Sequence, residues 1–95
     1  MNKLIINLND ILGEKLYIED AILLRQEILK EISNNKIILN FQNISSIPNN
    51  FFSTLLVPLQ EIVGWNNLFK NLDIINLKED EKENYNRVYY GTSDY

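Results

Sequence analysis

The chain contains neither cysteine nor histidine. The first absence excludes disulfides and thiolate metal sites. The second removes the usual general base, the commonest metal ligand and the side chain that titrates near neutrality. Carboxylates, lysine, tyrosine and hydroxyls are what remain for chemistry, a thin inventory for 95 residues. Clustered basic residues are also lacking. Lys78, Lys82 and Arg87 form the one close set, and Glu79, Asp80, Glu81 and Glu83 lie among them. With a net charge of -4, no nucleic-acid partner is expected, because phosphate contact needs grouped Lys and Arg.

Long apolar runs are missing as well. Nothing approaches the ~18 residues of a membrane span, and Asn7, Asn9 and Asp10 interrupt the first apolar segment too early for a signal peptide. A cytoplasmic chain with no membrane partner is expected. The hydrophobic fraction of 45% is ordinary for a globular domain, so the length and composition predict one domain over residues 1–90, with 91–95 as a flexible tail.

Strands and helices alternate in the pattern. Lys3–Leu8 is short, rich in β-branched residues and bounded by Asn9 and Asp10, which predicts a strand. Ile11–Glu14 reads as a turn, and Lys15–Ile18 as a short strand pairing back on the first. From Asp20 the period becomes helical. Ala21, Leu24, Ile28 and Ile32 make a stripe that Ile22, Leu23 and Leu29 broaden, with Asp20 as N-cap or first-turn acid and Ser33–Asn35 as the stop. Lys36–Phe41 is the best strand, apolar enough to imply cover on both faces. A polar turn follows over Gln42–Asn49, with Ile44 and Ile47 as inward anchors.

Phe51–Val63 fits a helix capped by Asn49 or Asn50 and kinked by Pro58, and a strand over Phe51–Val57 is the competing reading. Gly64 is a natural stop, Trp65–Asn67 reads as loop, Leu72–Asn76 as strand and Lys78–Val88 as a charged helix with a thin apolar face. The order predicts an α/β fold, a mixed and mostly parallel sheet with helices packed on it. Loops beyond the C-terminal ends of such strands gather ligands and partners, and Gln42–Asn50 is such a loop.

That segment also carries a family likeness. The helix Asp20–Ile32, the strand Ile37-Ile38-Leu39-Asn40-Phe41, the turn Gln42-Asn43-Ile44 through Ile47, the opening Phe51-Phe52 and the later Ile74-Ile75-Asn76 together resemble a STAS-type domain. The likeness spans about residues 3–88. It is nearest to the small bacterial STAS-like proteins related to anti-anti-sigma factors. It implies a regulatory module whose partner is a kinase-like ATPase or another regulatory protein. Two departures matter. Asn40 stands where the family carries an aspartate. The family's phosphorylatable Asp-Ser-Ser/Thr-Gly set falls on Pro48, Asn49, Asn50 and Phe51, none of which accepts a phosphate, so a phospho-switch is not expected.

The expected site is therefore a protein-docking surface made by Asn43, Ser45, Ser46, Pro48, Asn49, Asn50 and Ser53, with no catalytic residue, metal or cofactor. Asn49 and Asn50 read first as helix caps, and Ser45-Ser46 as a turn. Trp65 with Phe69 is a second candidate anchor, as are Tyr90 and Tyr95, whereas Tyr85 and Tyr89 suit the core. The acids at 79–83 are explained by a helix N-terminus better than by a cation site. Two other functions compete with the docking module. One is a small phage or mobile-element inhibitor of a bacterial defence protein. The other is a nucleotide or anion sensor using the helix start at residue 50. The strand at Lys3–Leu8 is expected to lie at a sheet edge, where copies can pair.

Overall fold

The computed structural model of the chain describes residues 2–89. The expectations for 91–95, Tyr90 and Tyr95 lie outside the described residues. Eight elements follow one another: β1 (Asn2–Asn7), α1 (Leu8–Leu12), α2 (Ile18–Glu31), β2 (Asn35–Asn40), α3 (Phe51–Val63), α4 (Trp65–Asn71), β3 (Leu72–Ile75) and α5 (Glu79–Tyr89). The three strands form one fully parallel sheet in the order β1-β2-β3.

That order has a consequence for the layers. Parallel crossovers are almost always right-handed, and two taken in the same direction put every connecting helix on the same face of the sheet. The side chains alternate accordingly. Leu4, Ile37 and Leu72 are in register, as are Ile6, Leu39 and Ile74, and this face carries the core. The opposite face carries Lys3, Ile5, Asn7, Lys36, Ile38, Asn40, Asp73 and Ile75, none of them buried. The expectation that β2 is covered on both faces is thus corrected. Its apolar run reflects a central position between two partner strands, and Ile38 adds hydrophobicity on a side that no helix reaches. On that open side Lys36 bridges to Asp73 at 3.1 Å.

The helices follow the apolar spacing with revisions. In α2, Ala21, Leu24 and Ile28 are buried, and Ile32 just beyond its end joins them, but Ile22 and Leu23 point outward instead of widening the stripe. With Tyr17 as the N-cap, Asp20 is a first-turn acid of α2, one of the two roles expected for it. It is the third residue of α2, and its carboxylate accepts a hydrogen bond from the Tyr17 amide at 2.8 Å. Its own amide donates to the Tyr17 carbonyl at 3.0 Å.

The segment Lys15–Ile18 does not pair with β1. Lys15 makes an isolated bridge to Ser46, and α2 has already begun at Ile18. Half of the turn expected at Ile11–Glu14 is the end of α1, which Gly13 closes at φ 86°. Trp65–Asn67 is helical, not loop. The Asn67 carboxamide donates to the Val63 carbonyl at 2.7 Å, and burial of Leu68 fixes this short helix on the sheet.

Phe51–Val63 is a helix with Pro58 inside it. Proline has no N–H, so the Thr54 carbonyl one turn earlier loses its helical donor. Arg25 of α2 supplies one, its Nη1 lying 3.1 Å from the Thr54 oxygen. The defect in α3 thereby becomes a link between the two largest helices. Among the described residues no helix is long and apolar enough to cross a membrane.

Arg25→Ala strands the Thr54 carbonyl and is expected to cost about 1–3 kcal/mol. Pro58→Ala returns a helical donor to the same oxygen, so in that background Arg25→Ala is expected to cost at most about half as much. Urea unfolding of the four proteins in this cycle measures the coupling. Equal costs in both backgrounds would show that the guanidinium does not serve as the substitute donor.

Candidate functional site

The site begins where β2 ends. The Asn40 side chain binds in three directions: its Oδ1 accepts from the Gln42 amide at 3.0 Å and from the Asn76 carboxamide at 2.8 Å, and its Nδ2 donates to Asn7 Oδ1 at 2.9 Å. Carboxamides from the ends of all three strands are thus joined in one ladder across the sheet. Asn40 also starts the turn by holding the amide two residues on. Asn43 takes a left-handed conformation at φ 64°, and Asn76 does the same at φ 60° after β3. Asparagine adopts this region more readily than other non-glycine residues.

The loop is then pinned from below and from the side. Ile44 is buried, and its amide donates to the Phe41 carbonyl at 3.1 Å. Both the amide and the hydroxyl of Ser45 donate to the Glu14 carbonyl, at 2.8 Å and 3.2 Å. The Leu16 amide donates to the Ser46 carbonyl at 2.9 Å. Beneath the loop, Phe41, Phe51 and Phe52 pack with ring centroids 5.6–6.4 Å apart, and Tyr85 of α5 meets Phe52 edge-on at 5.5 Å. Ring pairs of this geometry add about 0.5–1.5 kcal/mol each beyond burial. A loop of this kind is preorganised.

The helix start differs from the expected cap. Asn50 is the N-cap of α3, yet its side chain makes no capping hydrogen bond. Its ψ of 15° departs from the extended conformation that aims a cap side chain at the following amides. Asn49 does not cap either. Instead the Phe51 amide donates to the Pro48 carbonyl at 3.0 Å, and the Ser53 hydroxyl turns back to the Asn50 carbonyl at 3.1 Å. The amides of Phe52 and Ser53 have no hydrogen-bond acceptor among the described residues.

The seven expected site residues therefore divide. Ser45 borders two adjoining clefts between the loop and the start of α5, while Ser46 borders only the smaller and Asn43 only the wider. The smaller, about 70 Å³, also takes in Ile47 and Asp80. The wider and shallower one, about 590 Å³, brings in Asn9, Glu14 and Asn76, and Lys78 lines both. Pro48, Asn49, Asn50 and Ser53 belong to the helix start and border neither cleft. Asn49 and Asn50 are exposed, whereas Pro48 and Ser53 are half-buried.

Asn7, Asn9, Glu14, Asn40, Asn76 and Lys78 were not among the expected residues. A signal for three of them does exist in the chain: Ile5-Ile6-Asn7-Leu8, Ile38-Leu39-Asn40-Phe41 and Ile74-Ile75-Asn76-Leu77 repeat one pattern at the three strand ends. The acids of α5 behave as first-turn residues, with the Asp80 carboxylate 3.0 Å from the Glu81 amide and Glu79 paired to Lys82. Among the described residues, no three acidic side chains are grouped to hold a metal ion.

Trp65 is half-buried. It and Phe69 pack against Tyr89, with Phe69 and Tyr89 stacked at 4.4 Å and 1°. These rings join α4 to α5.

Comparison with protein-family models, curated proteins and solved structures returns no match.

Asn40→Ala removes all three bonds of the ladder and is expected to cost about 1–2 kcal/mol, a fall of roughly 4–16 °C in melting temperature. Asn40→Asp keeps the acceptors for Gln42 and Asn76 and is expected to lose less than half of that. Thermal unfolding of the two variants decides; equal losses would mean that the acceptor oxygen does not hold the turn.

Proposed function

We propose that this chain is a non-enzymatic protein-interaction module that docks a regulatory partner through residues 42–53. The observation that carries this reading is a loop rigid in its frame and free at its rim. Phe41, Ile44 and the Glu14–Leu16 segment hold it, while Gln42, Asn43, Ser46, Asn49 and Asn50 face solvent. Such a surface loses little conformational entropy on binding, which is what allows a polar patch to hold a partner.

The resemblance to STAS-type domains, read from the residues, suggests the partner: a kinase-like ATPase or another regulatory protein. It does not supply a switch. Pro48, Asn49, Asn50 and Phe51 occupy the positions of the phosphorylated set, and the half-buried Ser53 hydroxyl is engaged with a carbonyl. Regulation through a phosphate on this helix start forms no part of the proposal. Neither a cofactor nor nucleic acid is required. The lack of histidine and cysteine supports a binding role over catalysis.

Affinity capture with the tagged chain, from cells that carry its gene, tests the reading against Asn49→Lys/Asn50→Lys. A kinase-like or other regulatory protein retained by the native chain and lost by the folded double variant is the expected result. Equal capture by both removes the loop from the mechanism. A phage-defence nuclease in place of a regulator would favour the inhibitor reading instead.

A further inference from the structure

The outer edge of β1 carries a second surface, distinct from the loop. β1 is six residues long, runs in unbroken register with β2, and has no proline or bulge. Its only charge is Lys3. Edges that remain unpaired are normally blunted by such devices, because their free N–H and C=O groups recruit another strand. A groove of about 550 Å³ runs along this edge on the helix side, between α1 and α2. Leu4, Ile6, Leu8, Leu12 and Leu24 contribute to it, and Glu27 and Lys30, paired with each other at 3.2 Å, stand at its margin. Two large apolar side chains at the groove are exposed, Ile11 at 67% and Leu23 at 56%, and Ile5, on the open face of β1, is 54% exposed.

We infer that this edge is the interface of a two-fold symmetric homodimer, in which β1 pairs antiparallel with β1 of a second copy to give a six-stranded sheet. Register is what selects a second copy as the occupant. With helices of both copies on the same side of the sheet, facing residues must share a face; of the residue-centred registers that allow this, centring on Ile5 is the one that sets Leu4, Ile5 and Ile6 each opposite an apolar residue. Ile5 then opposes Ile5 of the second copy, Leu4 opposes Ile6, and Lys3 opposes the neutral Asn7.

No like charges meet, since the two Lys3 residues lie about 14 Å apart along the strands. On the open face, the existing Ile5–Ile38 pair extends into one isoleucine row across four strands. On the helix side, the core row Ile37–Leu4 continues into Ile6 and Leu39 of the second copy. The two grooves meet at the axis, so Ile11 and Leu23 add apolar surface to a strand pair too small alone for the roughly 800 Å² per partner of a stable interface.

Ile5 suits the test because its side chain is exposed in a single copy. Analytical ultracentrifugation of the native chain at micromolar concentration is expected to show a dimer. Ile5→Lys sets two ammonium groups directly opposite each other and is expected to weaken dimerisation at least tenfold, with the far-ultraviolet spectrum unchanged. Because the chain has no cysteine, Ile5→Cys gives an unambiguous second readout. Oxidation is expected to link two copies through residue 5, where directly opposed positions satisfy disulfide geometry. Lys3→Cys, offset along the strands, is expected not to link.

A native chain that stays monomeric overturns the inference and leaves the edge for a strand of another protein. A dimer that survives Ile5→Lys, or that links through position 3 and not 5, overturns the register. None of these readouts uses the 42–53 loop, so failure here leaves the docking proposal standing.

Discussion

β2 is hydrogen-bonded along both edges but covered on one face only, and the rest of the molecule is arranged around that asymmetry. Ile37, Leu39 and Phe41 point into a single helical layer, and all are essentially inaccessible to water. Monotonic strand order forces this outcome, because each right-handed crossover returns on the same side. A doubly wound sheet would reverse direction and open a crevice at the reversal, the usual ligand site of such folds. No reversal exists among these three strands. The features that distinguish the molecule therefore sit at its margins: the loop after β2, the asparagine ladder and the free side of β1.

A core this small tolerates few unsatisfied polar groups, and the chain meets that demand with side chains more than with regular caps. Pro58 breaks the hydrogen-bond ladder of α3, and Arg25 repairs it from the neighbouring helix. Asn40 fastens the ends of three strands. Asn67 and Asn71 each return a carboxamide to a carbonyl four residues back, holding short α4 through its ends. Asn40, Asn67, Asn71 and Asn76 thus act as local hydrogen-bonding elements at the ends of strands and in short α4, a role for which the short carboxamide suits them.

The main periodicities in the sequence were sufficient for the architecture. The strand at 36–41, the stripe Ala21, Leu24, Ile28 and Ile32, and the helix at 51–63 each follow from spacing, and Gly64 at φ 81° stops where a glycine is needed. Three things were not legible. Ile22 and Leu23 look like core because hydrophobicity says nothing about which helical face has a neighbour. The short helices at 8–12 and 65–71 rest on one or two buried side chains, Leu8 and Leu68, too few to establish a period. At the site, the loop residues were legible through their place after a strand. The opposite wall of the clefts was not, since Glu14 and Lys78 reach it from distant positions through tertiary packing.

The two surfaces differ in chemistry in a way that bears on how they would work together. The loop is polar and held by hydrogen bonds to the Glu14–Leu16 segment, which on the proposed reading would suit a partner that comes and goes. The β1 edge and its groove are apolar, which is the character of lasting contacts between identical subunits. Geometry couples them. All three strands run in parallel, and the loop follows the C-terminal end of β2, so antiparallel pairing through β1 would send the two loops of a dimer to opposite ends of the six-stranded sheet. Each loop would then meet its own partner without obstruction from the other. Two loops so placed would not clamp a single small protein. On the proposed docking reading they would join two, and any gain from bivalency would fall to partners that are themselves clustered or dimeric, for which the second contact becomes intramolecular.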